Sequence, residues 1–344
     1  MEKLKQREPA LDAIRALAIL LVVIIHVAAP AIQRAVGSAN WWGAIVWGVL
    51  ARPAVPLFFM CSGALMLTRD IPLKRLYGHN LLRIMVAMYC WGFAYNMIPA
   101  IKQLSLSAIW EAIKLTIVLN HEFHFYYLHI LMLVYVFVPV VRAFIRGASR
   151  REVEYLLCVW FVVGIVLPVV RSVWPFNLVY TLTGNWYVMN MTYSAIGYGV
   201  LGYYLKTYGD SLPCWLPWTA WAGGVAVTGI GTVVPSLAKQ SLATAYLEGM
   251  SPGPMLMAFG IMGMMLRKKE WKPSIRRLTG RVSQASFCIY LSHVLIQRIL
   301  EGVFGLATTL SVVVIPVYVL VIVLVCWGIY EILSRIPIVK RWLV

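Results

Sequence analysis

The stretch Leu17-Ala18-Ile19-Leu20-Leu21-Val22-Val23-Ile24-Ile25 runs without a single polar residue. Strands of a membrane barrel alternate apolar and polar positions, so this run excludes a barrel and reads as a helix in lipid. Outward from it the whole chain has the same character. Of its 344 residues 61% are hydrophobic and 12% charged, with a mean hydropathy of +0.79. Soluble domains hold about 45–50% apolar and about 25% charged residues. A soluble enzyme, a disordered chain and a nucleic-acid-binding domain are therefore excluded. At about 20 residues per crossing, the apolar segments 11–31, 43–67, 81–101, 125–145, 154–172, 187–206, 213–235, 252–267, 282–303 and 309–334 predict an all-α polytopic membrane protein. About ten transmembrane helices are expected, in a single domain over 1–344 with no internal repeat.

The net charge of +17 is explained by placement. Cations cluster at Lys3, Lys5 and Arg7, at 69–75, at 142–151, at Lys206, at 267–281 and at 335–341, all in alternate loops. The intervening loops hold only Arg34, Lys102, Lys114, Arg171 and Lys239. Cytoplasmic loops carry the excess of Lys and Arg, so both termini are predicted to be cytoplasmic. The first residues imitate a signal peptide, with Ala28-Ala29-Pro30-Ala31 after the apolar run. Asp12 and Arg15 interrupt that pattern, and an uncleaved first helix is expected.

Within the external stretch from Lys102 to His124, Ile109, Trp110, Ile113 and Ile117 recur at helical spacing and predict a helix on the outer membrane surface. Trp41, Trp42, Trp174, Trp186 and Trp215 fall near helix ends, as an aromatic belt would. Cys61, Cys90, Cys158, Cys214, Cys288 and Cys326 form no CxxC pair and read as small core hydrophobes.

Ionisable residues inside lipid cost several kcal/mol and each needs a reason. Arg15, Arg83 and Arg298 lie near helix ends, within reach of headgroups. Arg52 lies well inside the second segment, before Pro53 and Pro56, and predicts a broken helix lining a cavity. In the first helix Arg15 and His26 are 11 residues apart, which returns them to nearly one face, about 16 Å apart along the axis. Asp12 falls near the same stripe. His293 lies mid-segment, and His124 precedes the fourth segment with His121 and His129 beside it. These three at spacings of 3 and 5 have only Glu122 as a nearby carboxylate, so no metal site is expected. His79 is expected to be a solvated loop residue.

Four motifs, in order along the chain, resemble the bacterial acyltransferase-3 membrane proteins. They are Leu11-Asp12-Ala13-Ile14-Arg15-Ala16-Leu17-Ala18 followed by His26, Val55 to Gly63, His124-Phe125-Tyr126-Tyr127-Leu128, and Ser286 to His293 with its Ser-x-x-x-Tyr-Leu-x-His pattern. Where that family usually has Arg-x-x-Arg, this chain reads Asn80-Leu81-Leu82-Arg83, leaving Lys74, Arg75 or His79 as substitutes. The resemblance implies ten helices and transfer of an acyl group, usually acetyl, from cytoplasmic acyl-CoA to a hydroxyl on a cell-envelope carbohydrate or lipid-linked glycan. It implies acetyl-CoA as donor substrate, no metal, and a multi-pass place in the bacterial inner membrane. His26 would be the catalytic base and Arg15 a donor-pocket residue. Asp12, Arg52, Ser62, Arg75, Arg83, His124 and His293 would complete the substrate site. The chain resembles the short type, without an appended extracytoplasmic hydrolase-like domain, and would act alone.

The chemistry suits the residues. O-acylation by a thioester needs a base for the hydroxyl proton, a stabilised oxyanion and a dry meeting place. Histidine, with a reference pKa of about 6.5, fits the base, and Arg forks fit CoA phosphates. Asp12 is some 20 Å from His26 along the axis, so the residue that orients His26 belongs to another helix. A transporter or flippase of a lipid-linked sugar is the competing reading; such folds often carry inverted repeats, and no second copy of the Asp12-Arg15-His26 pattern occurs. A membrane-embedded binding protein without chemistry explains the polar stripe least well.

Overall fold

A computed structural model gives the structure and describes residues 8–119, 122–170, 187–304 and 311–344. Lys3, Lys5, Arg7, His121, Arg171, Trp174 and Trp186 lie outside the described residues. Among the described residues there is no strand. The helices are α1 (Pro9–Ile32), α2 (Ala39–Ala51), α3 (Ala54–Met66), α4 (Leu73–Lys102), α5 (Leu106–Ile117), α6 (Phe123–Gly147), α7 (Arg150–Val170), α8 (Met191–Tyr208), α9 (Leu216–Lys239), α10 (Pro252–Arg267), α11 (Pro273–Phe304), α12 (Ser311–Leu333) and α13 (Pro337–Trp342).

Among the described residues seven helical spans are long and apolar enough to cross a membrane: α1, α2 with α3, α4, α6, α7, α9 and α12. The other three expected segments are also helical, as α8, α10 and α11. Two helices begin well before their apolar runs. α11 starts at Pro273 rather than 282 and carries Arg276, Arg277 and Arg281 in its first turns, and α4 starts at Leu73 rather than 81. Hydropathy marks the part of a helix that lipid surrounds; backbone hydrogen bonding sets where the helix begins.

α1 is the central helix. Ile14, Ala18, Ile19, Val23 and Ala28 are fully enclosed, and α1 packs against α2, α3, α11 and α12. The second crossing is broken at Arg52-Pro53, as expected. Two prolines lack N–H donors, and Arg52 N–H turns back to Val49 O at 3.2 Å while Leu57 N–H reaches Pro53 O at 2.9 Å. α3 then lies close against α8, with Gly63 over Gly199 and Gly202 over Met60. Small residues let helix backbones approach in lipid.

The stretch with apolar residues at helical spacing is a helix, α5. Its Ala112 and Thr116 are buried, and Thr116 Oγ1 accepts a 3.1 Å hydrogen bond from Asn96 of α4. Trp110 and Ile117 face outward.

Ion pairs place the cation-rich loops at one end of the bundle. Glu8 accepts from Lys206 at 2.7 Å and from Arg69 at 3.2 Å. Lys269 pairs with Asp210 at 2.8 Å, and Arg146 pairs with Asp70. Arg83 donates to the backbone oxygen of Val344, so the described beginning and end of the chain lie at that same end. At the opposite end Ser311 N–H reaches Asn40 Oδ1 at 3.2 Å and Trp47 donates to Val312 O at 3.0 Å.

Several expectations are corrected. Arg298 does not need headgroups, because it makes a bidentate pair with Glu122 at 2.6 and 2.7 Å. His79 is not a loop residue; it sits in a π-helical stretch, Leu76–Leu81, with its ring against Trp342. Trp41 is fully buried against Trp42, whereas Trp42 and Trp215 are exposed on the outside of the bundle. Cys61, Cys288 and Cys326 are buried, but Cys90, Cys158 and Cys214 are exposed; an apolar stretch places a residue in lipid as readily as in the core.

Arg142 also has more to do than set topology. It is buried and donates to Met66 O at 2.9 Å and Ile71 O at 3.1 Å, holding the carbonyls where α3 ends. Replacing it by methionine strands those oxygens. A charge-assisted hydrogen bond contributes about 1.5–3 kcal/mol, so Arg142→Met is expected to lower the thermal midpoint of the purified protein by several degrees. An unchanged midpoint would show that these bonds contribute nothing.

Candidate active site

Two connected cavities enter the bundle from the end where the cation-rich loops meet. The outer one, about 660 Å³, is lined by Asp12, Arg15, Ser62, Arg75 and Arg83 among others. The inner one, about 310 Å³, shares Arg15, Ser62, Arg83 and Tyr135 with it and continues to Phe58, Tyr127 and Tyr290. The wall therefore changes along its depth, from cations and carboxylates at the mouth to aromatic rings at the inner end.

The local sequence explains the lining. The π-helical stretch adds a residue to the turn ahead of Arg83, and both Asn80 and Arg83 line the two cavities. Asn80 thus occupies the first arginine's place in the family pattern, and Arg75 supplies a second guanidinium at the mouth. Lys74 and His79 do not line either cavity. Asp12 does not face His26; its Oδ1 accepts from Ser283 of α11 at 2.8 Å. Ser62 donates its hydroxyl to Phe58 O at 2.9 Å.

Beyond Tyr290, three histidines from three helices come together. The His26 ring centre lies 5.0 Å from that of His293 and 6.1 Å from that of His124, and His124 and His293 are 5.1 Å apart. Tyr290 bridges cavity and cluster. Its ring lines the inner cavity, lies 5.7 Å from the His124 ring, and its hydroxyl donates to the His124 backbone carbonyl. Phe123, Phe125 and Tyr95 complete an aromatic surround for His26 and His124. Buried polar atoms are normally paired, yet among the described residues both ring nitrogens of His124 and Nε2 of His293 have no partner. None of the described His, Cys, Asp and Glu residues form a group of three that could hold a metal ion.

The backbone of His26 is held from outside its own helix. In a regular helix its carbonyl would accept from the residue four positions on, which is Pro30 and has no N–H. Gln297 of α11 supplies the missing donor, with Nε2 3.1 Å from His26 O and 2.8 Å from Glu301 Oε1. Pro30 was the available signal for such a donor, but its identity depended on which helix lies alongside.

Of the sequence-derived site residues, Asp12, Arg15, Ser62, Arg75 and Arg83 share the cavity, and His26, His124 and His293 share the cluster at its inner end. Arg52 lines neither cavity. It sits at the helix break with its Nε unpaired among the described residues, and its charge reaches His26, Glu248 and Tyr126. Sequence reasoning missed Tyr135, Gln284 and Gln297. Tyr127 and Tyr290 stood inside the quoted motifs, one helical turn from His124 and His293, without being singled out.

No curated protein and no solved structure matches the chain. The acyltransferase-3 family, described as an acyltransferase domain, matches residues 8–331. A match over nearly the whole chain, on a helical membrane bundle whose cationic cavity leads to a histidine cluster, makes this protein a member of the acyltransferase-3 family and a membrane acyltransferase.

Proposed function

We propose that the protein transfers an acetyl or other short acyl group from cytoplasmic acyl-CoA to a hydroxyl of a cell-envelope carbohydrate or lipid-linked glycan. It does so in the bacterial inner membrane, with the cation-rich end in the cytoplasm and His26 as general base. The observation that carries this reading is the graded cavity: guanidinium groups at its mouth, aromatic rings at its inner end, and the three histidines next to that end.

Arg75 and Arg83 suit the CoA phosphates, since guanidinium forks match phosphate oxygens. Arg15, half-way along, suits the polar pantetheine arm. The smaller inner cavity, walled at its end by Phe58, Tyr127 and Tyr290, suits a thioester with a short chain. At the cluster, His26 takes the proton of the acceptor hydroxyl as its oxygen attacks the thioester carbonyl. His124, whose ring nitrogens have no partner among the described residues, offers an N–H to the oxyanion. When the carbon–sulfur bond breaks, the thiolate takes the proton from His26. Arg52 lines neither cavity, and its charge reaches His26 and Glu248; it belongs on the acceptor side of the site.

The test is thermal stability of the purified protein with acetyl-CoA. A ligand that binds only the folded state stabilises it by about 2.7 kcal/mol at 100 times its dissociation constant. Wild type is expected to show an upward shift, and Arg15→Ala and Arg83→Ala are expected to need at least tenfold more acetyl-CoA for the same shift. No shift with acetyl-CoA or longer acyl-CoAs would defeat the donor assignment. Release of CoA thiol distinguishes this reading from a flippase, which would leave the thioester intact.

A further inference from the structure

We infer that His293 is a positioning residue for His26: its Nε2 is held as a lone-pair acceptor and fixes which nitrogen of His26 carries the proton. This rests on the proposal that His26 is the base, and it names the partner that aligns it.

His293 Nδ1 lies 2.7 Å from Tyr290 O and 3.2 Å from Ile289 O. Carbonyl oxygens only accept, so Nδ1 must carry the hydrogen. A neutral imidazole has one N–H, which leaves Nε2 of His293 as an acceptor. That atom is buried and unpaired, in a side chain with no exposed surface. Nothing among the described residues donates to it, so the site holds an acceptor waiting for a donor.

The geometry selects His26. An N–H···N bond of about 2.9 Å, with about 1.1 Å from each nitrogen to its ring centre, separates two imidazole centres by about 5 Å. His26 and His293 are 5.0 Å apart with their planes inclined by 38°. His124 is at a similar 5.1 Å, but its plane stands at 75° in an edge-on arrangement. The His124 main chain is also tied by Tyr290, whereas His26 is half-buried rather than fully enclosed.

The consequence is chemical. With one nitrogen of His26 donating to His293 Nε2, the other presents its lone pair to the acceptor hydroxyl. As the hydroxyl oxygen bonds to the thioester carbon, its proton moves to that free nitrogen, and the imidazolium so formed keeps its second N–H on His293. When the carbon–sulfur bond breaks, the sulfur takes the electron pair and the same proton. The neutral dyad is restored with no other reactant.

The experiment compares wild type, His293→Gln and His293→Phe. Side-chain spectra of protein carrying ¹⁵N-labelled histidine report each tautomer, and CoA thiol release from acetyl-CoA in membrane vesicles containing envelope glycans reports turnover. Gln keeps an acceptor oxygen near the position of Nε2; Phe removes it. In wild type and His293→Gln, His26 is expected to show a single tautomer, and in His293→Phe a mixture. His293→Phe should lower the saturating rate about 100-fold with KM for acetyl-CoA within twofold, while His293→Gln stays within tenfold of wild type. His293→Met removes the acceptor with a flexible chain, should the Phe ring prevent folding. A single unchanged His26 tautomer in the Phe and Met variants, or equal rates for Gln and Phe, would overturn the inference. If wild type neither binds acetyl-CoA nor releases thiol, the acyl-CoA reading fails, and the tautomer spectra still decide whether His293 holds His26.

Discussion

His26→Ala is expected to lose acyl transfer by about 10²–10⁴-fold, the range a general base contributes, while retaining the acetyl-CoA thermal shift. The separation follows from what holds His26 in place. The tertiary hydrogen bond at this position is made by its carbonyl, to Gln297, and alanine keeps that carbonyl. The ring makes edge contacts to Phe123 and His124 and a tilted contact to His293. Neither cavity is lined by His26, so the donor pocket survives the substitution. Thiol release and thermal stability measured on the same preparation check this. Full turnover in the variant would remove His26 from the chemistry; loss of both turnover and the thermal shift would make it a structural residue instead.

Gly63→Ala and Gly202→Ala are expected to have the largest effects on stability. A Cβ at Gly63 would lie 2.0 Å from Gly199 O and 2.4 Å from its carbonyl carbon, and one at Gly202 would lie 2.0 Å from Met60 O. These neighbours are backbone atoms of helices and cannot rotate aside. Overpacking costs about 1–3 kcal/mol, occasionally more, so each substitution should lower the thermal midpoint by several degrees, and the pair together should cost more than either. Because α3 also carries Phe58 and Ser62 into the inner cavity, separating α3 from α8 should weaken the acetyl-CoA shift as well. Gly223 and Gly229 on α9 have open space at the same position, and alanine there is the control, with no loss expected. Midpoints equal to wild type at Gly63 and Gly202 would show that the two helices separate without cost.

Much of the architecture is legible along the chain because lipid imposes a simple rule: a spanning segment must satisfy its own backbone and cover itself with apolar side chains. Leu17 to Ile25 needs no partner to be read, and neither does the break at Arg52-Pro53. The alternation of cation-rich loops is equally local, and the pairs Glu8–Lys206 and Lys269–Asp210 bring together the loops that alternation assigns to one side. The signal fades where a helix leaves the lipid, as in the first turns of α11 and the π-helical entry to Arg83. It also fails to separate core from lipid-facing positions: Cys61 and Cys90 look alike in sequence, and only neighbouring helices make one buried and the other exposed.

By itself, then, the sequence determined an all-α membrane bundle, its cation-rich side, and a stripe on the first helix carrying Arg15 and His26. The tertiary structure decided the meaning of that stripe. Spacing on one helix can align residues along a face, but a base needs a partner in the direction across helices, where sequence distance carries no information. His293 is 267 positions from His26 and their rings are 5.0 Å apart. Gln297 replaces a donor that Pro30 removes, and Arg142, one cation among many in a loop-end cluster, closes the exit of α3. Each of these contacts is made by packing one helix on another, which the apolar pattern requires but does not specify.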